Sequence, residues 1–307
     1  MTSYVSVKLL RAFVTTFILV TFAFTVLRMS GDPSTAVLGL DVDAAAQERF
    51  HERWGLDRPL TEQFADYLRD LAVGDFGRSF VGDRPAISVV LDRLPQTLTL
   101  MGAALALALL IGVPLGGLAA FHYGTPADRA IIAGATVGYC VPDFVIGILL
   151  ILLFGATLQI LPISGNASLA HYIMPVLALA APNASLFARI TRSAVLDVLS
   201  QPHVIAARMR GLPWGATALR HIVPNASIPV ITIFGLVLGG LVVGATVTEN
   251  VFAWPGVGQL LVTSARNRDL AVVQTIVILG GIAMVFANLM VDLFCAWIDP
   301  RIRVTSR

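Results

Sequence analysis

An aspartate inside an apolar run is the first residue whose type and setting suggest chemistry. Asp143 lies in GYCVPDFVIGILL, directly after Pro142 and ahead of an uncharged stretch from Phe144 to Ala188. An acid in a membrane-length run is costly, so it faces a bundle interior or a wet cavity. Counted along a straight span it falls near the bilayer midplane. Two roles fit: a carboxylate that lines a pathway and pairs with a substrate amine, or a structural acid held by internal hydrogen bonds. Glu249 and Asn250 end another uncharged run, Ile222–Thr248, close to Pro255 and Gly256, and this suits part of an outer gate. Asp292 suits pairing with arginines at the inner rim. Asn183, beside Pro182, suits a hydrogen bond between helices, and His171 a structural place at a membrane edge.

Other chemistries find little support. Ser185, Ser193 and His221 are the candidates for an intramembrane hydrolase, but the chain contains neither GxSxG nor HExxH. It has no GxxxxGK[ST] loop with which to bind ATP. Cys140 and Cys295 lie in apolar runs with no CxxC, which argues against a disulfide framework and a zinc site. A net charge of +2 implies no broad nucleic-acid surface.

The elements that must position these residues are membrane spans. Of 307 residues, 56% are apolar and only 13% charged, against about 25% charged in ordinary soluble domains. Uncharged runs at 94–127, 144–188, 222–248 and 270–291 place six helices near 9–29, 95–120, 130–156, 171–191, 226–248 and 272–297. LPISGNAS (161–168) supplies a turn within the second run. The first span reads as a retained helix rather than a cleaved leader, because Arg28 stands where a small-residue cleavage site belongs. The expected class is an all-α polytopic membrane protein. Its parts are a tail and first helix (1–29), an extracytoplasmic loop (30–94), a core of five spans (95–298) and a tail (299–307).

Basic residues in short loops set orientation. Lys8, Arg11, Arg129, Arg189, Arg192, Arg208, Arg210, Arg220, Arg301, Arg303 and Arg307 share one side, which places both termini in the cytoplasm. The opposite loop, 30–94, carries seven Arg against twelve Asp/Glu. It holds two predicted helices: DAAAQERFHERW (43–54), and a second with Phe64, Leu68 and Leu71 at helical spacing and Gly74 as its stop. That loop is either a small cap on the outer rim or a docking surface for an extracytoplasmic partner.

One cationic interruption separates the fourth and fifth spans. In SQPHVIAARMRGLPWGATALRHIVPNA (200–226), Pro202 suits a first helical turn, and Gly211 with Pro213 suits the end. Ile205, Met209 and Leu212 form one apolar stripe, flanked by Arg208 and Arg210. A second helical stretch is expected over 214–222. A helix this short needs a cover. Periodicity alone leaves two open: lipid headgroups or a groove in a cytoplasmic protein.

This segment resembles the cytoplasmic "EAA…G" coupling loop of ABC-importer permeases. With Gly211 at the motif glycine, Ile205, Ala206 and Ala207 occupy the E-A-A positions and Val223-Pro224 the later L-P. The missing glutamate is similar to the dipeptide/oligopeptide/nickel permease branch, although His203 and Ile205 replace its usual tyrosine and arginine. Further similarity comes in order along nearly the whole chain: GDP (31–33), GLDRPLTEQFADYLRDLAVGDFGRSF (55–80), RLPQTLTL (93–100), VTENVFAWPGVGQLLVTSARNRDLAVVQ (247–274) and NLMVDLFCAWIDPRIR (288–303).

The resemblance implies a type I ABC-importer permease fold and one of two non-identical permease subunits. It also implies a second homologous permease, two cytoplasmic ATPases docked on the loop at about 192–225, and an extracytoplasmic substrate-binding protein. ATP and Mg would be bound by the ATPases and no cofactor by this chain. The coupling residues would be Ile205, Ala206, Ala207, Arg208, Met209, Arg210, Gly211 and Leu212. The place would be a bacterial cytoplasmic membrane and the cargo a peptide, with nickel chelates and glutathione as alternatives in the same branch. A stand-alone ion-coupled transporter is the competing class; internal repeats would favour it, and none is evident.

Overall fold

The computed structural model describes residues 2–29, 31–38, 43–240 and 245–298. The expected tail 299–307, with Arg301, Arg303 and Arg307, lies outside the described residues, as do 241–244 of the predicted fifth span. Asp292 lies on a described helix, but its side chain is not described. The helices are α1 (Thr2–Met29), α2 (Pro33–Leu38), α3 (Ala44–Trp54), α4 (Leu60–Ala72), α5 (Ala86–Phe121), α6 (Pro126–Cys140), α7 (Asp143–Leu150), α8 (Ala170–Leu199), α9 (Pro202–Met209), α10 (Trp214–Thr217), α11 (Val223–Gly239), α12 (Thr246–Val251), α13 (Val257–Arg266) and α14 (Leu270–Ile298). Two π-helical segments, Ile151–Thr157 and Ala218–Ile222, follow α7 and α10.

Among the described residues, four helices are long and apolar enough to cross a membrane: α5, α8, the continuous rod Trp214–Gly239 and α14 through Met290. The first predicted span lies on α1, whose apolar stretch is Phe13–Val26. The predicted third span is corrected. It is α6 followed by α7 and its π-helical continuation, bent by 95°. Pro142 lacks an N–H and pushes Val141 into extended backbone (φ −85°, ψ 121°), which ends α6. The predicted fifth span, 226–248, is corrected as well. Its helix begins at Trp214, joins the predicted stretch 214–222 without a break, and ends at Gly239.

The chain forms two compact units. One comprises residues 1–97, 242–246 and 255–285. Both predicted helices of the outer loop are here. Each ends on a left-handed glycine, Gly55 after α3 (φ 61°) and Gly74 just beyond α4 (φ 84°). Phe24 of α1 packs on Phe64 and Tyr67 of α4, with ring centroids 5.1 and 5.5 Å apart. Ala86 and Val90 of α5 share a core with Val257, Val272 and Ile276. Polar ties fix the loop: Ser79 and the Phe80 N–H bond to buried Asp269, and Arg268 donates to the Asp32 carbonyl at 2.8 Å.

The other unit comprises residues 98–241, 247–254 and 286–307. Here α5 and α8 meet through small residues. Gly112 and Gly116, one turn apart, lie against the backbone carbonyls of Ala184 and Ala188. Such close approach needs side chains no larger than hydrogen at the crossing. Asn183 does not bridge helices as expected; its amide donates to the Leu179 carbonyl on its own helix at 2.8 Å. His171 caps its own turn through Ser168 Oγ at 2.9 Å.

Candidate functional site

The cationic interruption folds as the proline and glycine spacing requires. Pro202 occupies the first turn of α9. At the other end, the Gly211 N–H donates to the Arg208 carbonyl at 2.9 Å and the Leu212 N–H to the Ala207 carbonyl at 3.3 Å. With Gly211 at φ 82°, this is a Schellman stop. Leu212 therefore lies beyond the helix, and the expected three-residue stripe is only Ile205 and Met209. Both are exposed, at 48% and 84%.

Sequence reasoning missed a second apolar face. Val204 and Ala207 are fully buried, Val204 in a core with Val195, Val198, Ile222 and Ala226. The helix is thus anchored from behind while Ile205 and Met209 stand bare in front. Val204 and Ala207 are three apart, on the side away from Ile205 and Met209 and flanked by the two arginines, but two apolar positions at this spacing do not by themselves mark a buried face. Arg208 stacks over Trp214 at 5.0 Å, and Trp214 packs edge-on against Phe121 at 5.6 Å. Ala206 and Arg210 are exposed beside the stripe.

Beside this element, Asp128 at the start of α6 accepts two hydrogen bonds from Arg192 of α8, at 2.6 and 2.9 Å. It also accepts from the Gly124 N–H at 3.0 Å, and Arg192 lies over the Tyr123 ring at 5.3 Å. The Asp128 latch was not read from the sequence, because its partners lie 64 residues apart.

The three predicted pathway residues are brought close together. Asp143 is the first residue of α7, at the bend and not within a continuous span. Its estimated midplane depth, which assumed a straight helix, no longer follows. One carboxylate oxygen accepts from the Phe144 N–H at 2.8 Å, and the other from Thr248 Oγ at 3.0 Å. Helix N-termini favour negative charge, so the acid's cost is partly met locally. Glu249, next to Thr248, is fully buried, whereas Asn250 is exposed. The segment behind them is locked: Phe252 packs on Gly147 and its carbonyl accepts from the Gly165 N–H at 3.0 Å. Trp254 meets Tyr172 edge-on at 4.5 Å. Among the described residues no cluster of His, Cys, Asp or Glu is arranged to hold a metal.

An all-helical chain with these spans and a short, half-anchored cationic helix between two of them is a transporter's membrane subunit. The chain belongs to the family of binding-protein-dependent transport system inner membrane components, whose model matches residues 112–304; the family's N-terminal counterpart matches 1–101. It is a permease subunit of an ABC importer and a multi-pass inner membrane protein. Among curated relatives, the glutathione transport system permease protein GsiC of Escherichia coli K12 is 38% identical over 304 residues, covering 99% of both chains. The GsiC of Shigella flexneri serotype 5b matches to the same extent. Two solved structures share the fold. An inward-facing MetNI methionine ABC transporter aligns with TM-score 0.58 at 17% identity, over 70% of this chain and 98% of that one. An amino acid ABC transporter with histidines aligns at 0.54 and 19%, over 69% and 94%.

Proposed function

We propose that this chain is one of two homologous permease subunits of an ATP-driven importer of small peptides, working by alternating access, with glutathione the first solute to test. The observation that carries the cargo reading is the full-length similarity to permeases named for glutathione, a tripeptide. Two cytoplasmic ATPases supply ATP and Mg, and an extracytoplasmic binding protein delivers the solute. This chain contributes no cofactor. Both termini face the cytoplasm, as the arginine distribution favours.

The coupling element is α9 with its stop, residues 205–212. The ATPase groove takes the bare Ile205–Met209 face, and Arg208 and Arg210 flank it. Val204 and Ala207 tie the same helix to the cores of α8 and α11, so motion at the groove is transmitted to two spans. The solute meets the exposed Asn250 side of α12, and Asp143 and buried Glu249 hold that segment from behind.

Affinity purification of the tagged chain from its native membrane tests the coupling reading. We expect a second permease and ATPases with the wild type, and loss of the ATPases alone with Met209→Asp or Ile205→Asp. A chain that purifies alone and transports would overturn the assignment. In vesicles holding the full complex, ATP-dependent uptake of labelled glutathione, competed by other small peptides, tests the cargo.

A further inference from the structure

The extracytoplasmic part of the first unit contains a polar cavity that no step above uses. It measures about 250 Å³ and is bounded by the end of α1, by α3 and α4, and by the start of α14. At about 30 Å³ per water, that is room for on the order of eight waters or one small polar molecule. Four of its lining side chains carry a polar atom with neither a hydrogen-bond partner nor solvent contact: Arg28 Nε, Gln63 Oε1, the Tyr67 hydroxyl and Gln274 Nε2. Gln63 and Gln274 are more than nine-tenths buried, at 7% and 6% exposure. Leaving such groups unpaired costs about 1–3 kcal/mol each, more for charged ones, so an occupant toward which these lining side chains turn their occluded polar atoms would gain by pairing them.

The charges narrow its chemistry. Two other lining arginines have carboxylate partners within the protein, Arg58 with Asp66 at 2.7 Å and Arg78 with Asp83 at 2.8 Å, the latter shared with Arg53. Arg28 has no carboxylate among the described residues; it has only the Phe24 ring, at 5.5 Å. The α1 C-terminus gives it a partial counter-charge of about half a unit. Asp70, exposed and also lining the cavity, is in no salt bridge among the described residues. One cavity therefore presents an unpaired guanidinium, an unpaired carboxylate, and buried amide and phenol groups.

We propose that this cavity binds a small zwitterion, its oxyanion on Arg28 and its primary ammonium on Asp70. Gln274 and Tyr67 donate to the oxyanion, and Gln63 accepts from the ammonium after small side-chain rotations in the wall. Trp54, Phe76 and Phe80 line the rest and cover the ligand's apolar part. Two sources share this chemistry: a free dipeptide or amino acid, and the phosphoethanolamine headgroup of a lipid, since Arg28 closes the first span. The site is independent of which solute the complex carries.

The test uses the full chain in two preparations. In phosphatidylglycerol nanodiscs, binding of labelled L-alanyl-L-alanine is measured. In detergent, native mass spectrometry counts phosphatidylethanolamine retained against phosphatidylglycerol. The wild type should hold at least one of the two probes, and Arg28→Gln and Asp70→Asn should each weaken it tenfold or more. Arg49→Gln, outside the cavity, should leave it unchanged. Dipeptide binding alone identifies a peptide subsite, and ethanolamine-lipid retention alone a lipid site. Should Arg28→Gln fail to fold, Asp70→Asn carries the test, because that side chain is exposed. Binding of neither probe, or binding indifferent to Asp70→Asn, overturns the proposal.

Discussion

Adding one methyl group at Gly112 should separate two helices. A β-carbon there would lie 2.4 Å from the Ala184 carbonyl oxygen and 2.8 Å from the Phe187 β-carbon. Ordinary contact begins at 3.4 Å, so α5 and α8 must part by about 1 Å. Gly116 repeats the geometry one turn on, at 2.4 Å from the Ala188 oxygen and 2.8 Å from the Thr191 β-carbon. Overpacking of this kind costs about 1–3 kcal/mol, against a gain of about 1 kcal/mol from alanine's helix propensity. Each single Gly→Ala change should therefore lose about 1 kcal/mol net. One displacement relieves both clashes, so the double variant should cost clearly less than the two singles together. Gly117 is the control on the same helix: nothing lies within 4 Å of its added β-carbon. Unfolding in mixed micelles, followed by retention of the monodisperse species, reads all four variants. If Gly112→Ala proves as stable as Gly117→Ala, the close approach of α5 and α8 is wrong.

Asp143→Asn keeps an acceptor for the Phe144 N–H and can donate its amide to Thr248 Oγ, so assembly and uptake should persist, whereas Asp143→Leu should assemble poorly. Normal assembly with abolished uptake in Asp143→Asn would put the charge itself on the solute's path. Gly211→Ala places a β-carbon at φ 82° and costs about 1–2 kcal/mol locally; ATPase recovery should fall while the permease still folds, and unchanged recovery would show that the stop does not orient α9. Asp128→Ala should lower thermal stability, and Arg192→Ala should add little on that background; full additivity in the cycle would deny the latch. In the 30–94 segment, burial works against the Asp32 charge, but hydrogen bonds from His51, Ser34 and Gln47 prevail and hold its carboxyl well below the usual range. Its contribution is present above the unfolded value of about 3.9 and lost as pH falls further. The stability gap between wild type and Asp32→Asn should hold from pH 7 to 5 and shrink below about pH 4; a gap that closes above pH 5 contradicts the geometry.

What the sequence made legible had local punctuation. α3 lies within the stretch 43–54 read as a helix, α4 carries Phe64, Leu68 and Leu71 and ends just before Gly74, and α9 is bracketed by Pro202 and Gly211. The bend at Pro142 was not legible, since Pro175 and Pro182 lie within α8 without breaking it. Proline type alone does not separate a break from a tolerated kink when tertiary packing decides. The fifth span and the helical stretch expected over 214–222 were read as two pieces because Arg220 and His221 precede the uncharged run, yet the backbone continues through them as one rod. Around α9, the family likeness named Ala207 without saying that it faces inward with Val204, because that placement depends on packing against neighbouring helices that no local pattern states.

The π-helical turn at Ala218–Ile222 means that the rod from Trp214 to Gly239 holds one residue more than an uninterrupted α-helix would need to keep its two ends in phase. Removing one residue within that turn, such as exposed Leu219, should let the rod close into plain α-helix with Thr217 below and Ala226 above still facing their cores. The same deletion anywhere else in the rod rotates everything beyond it by about 100°. A single position is thus spare in length but not in location, and it marks where the chain could lose one residue without losing the connection between α9 and α11.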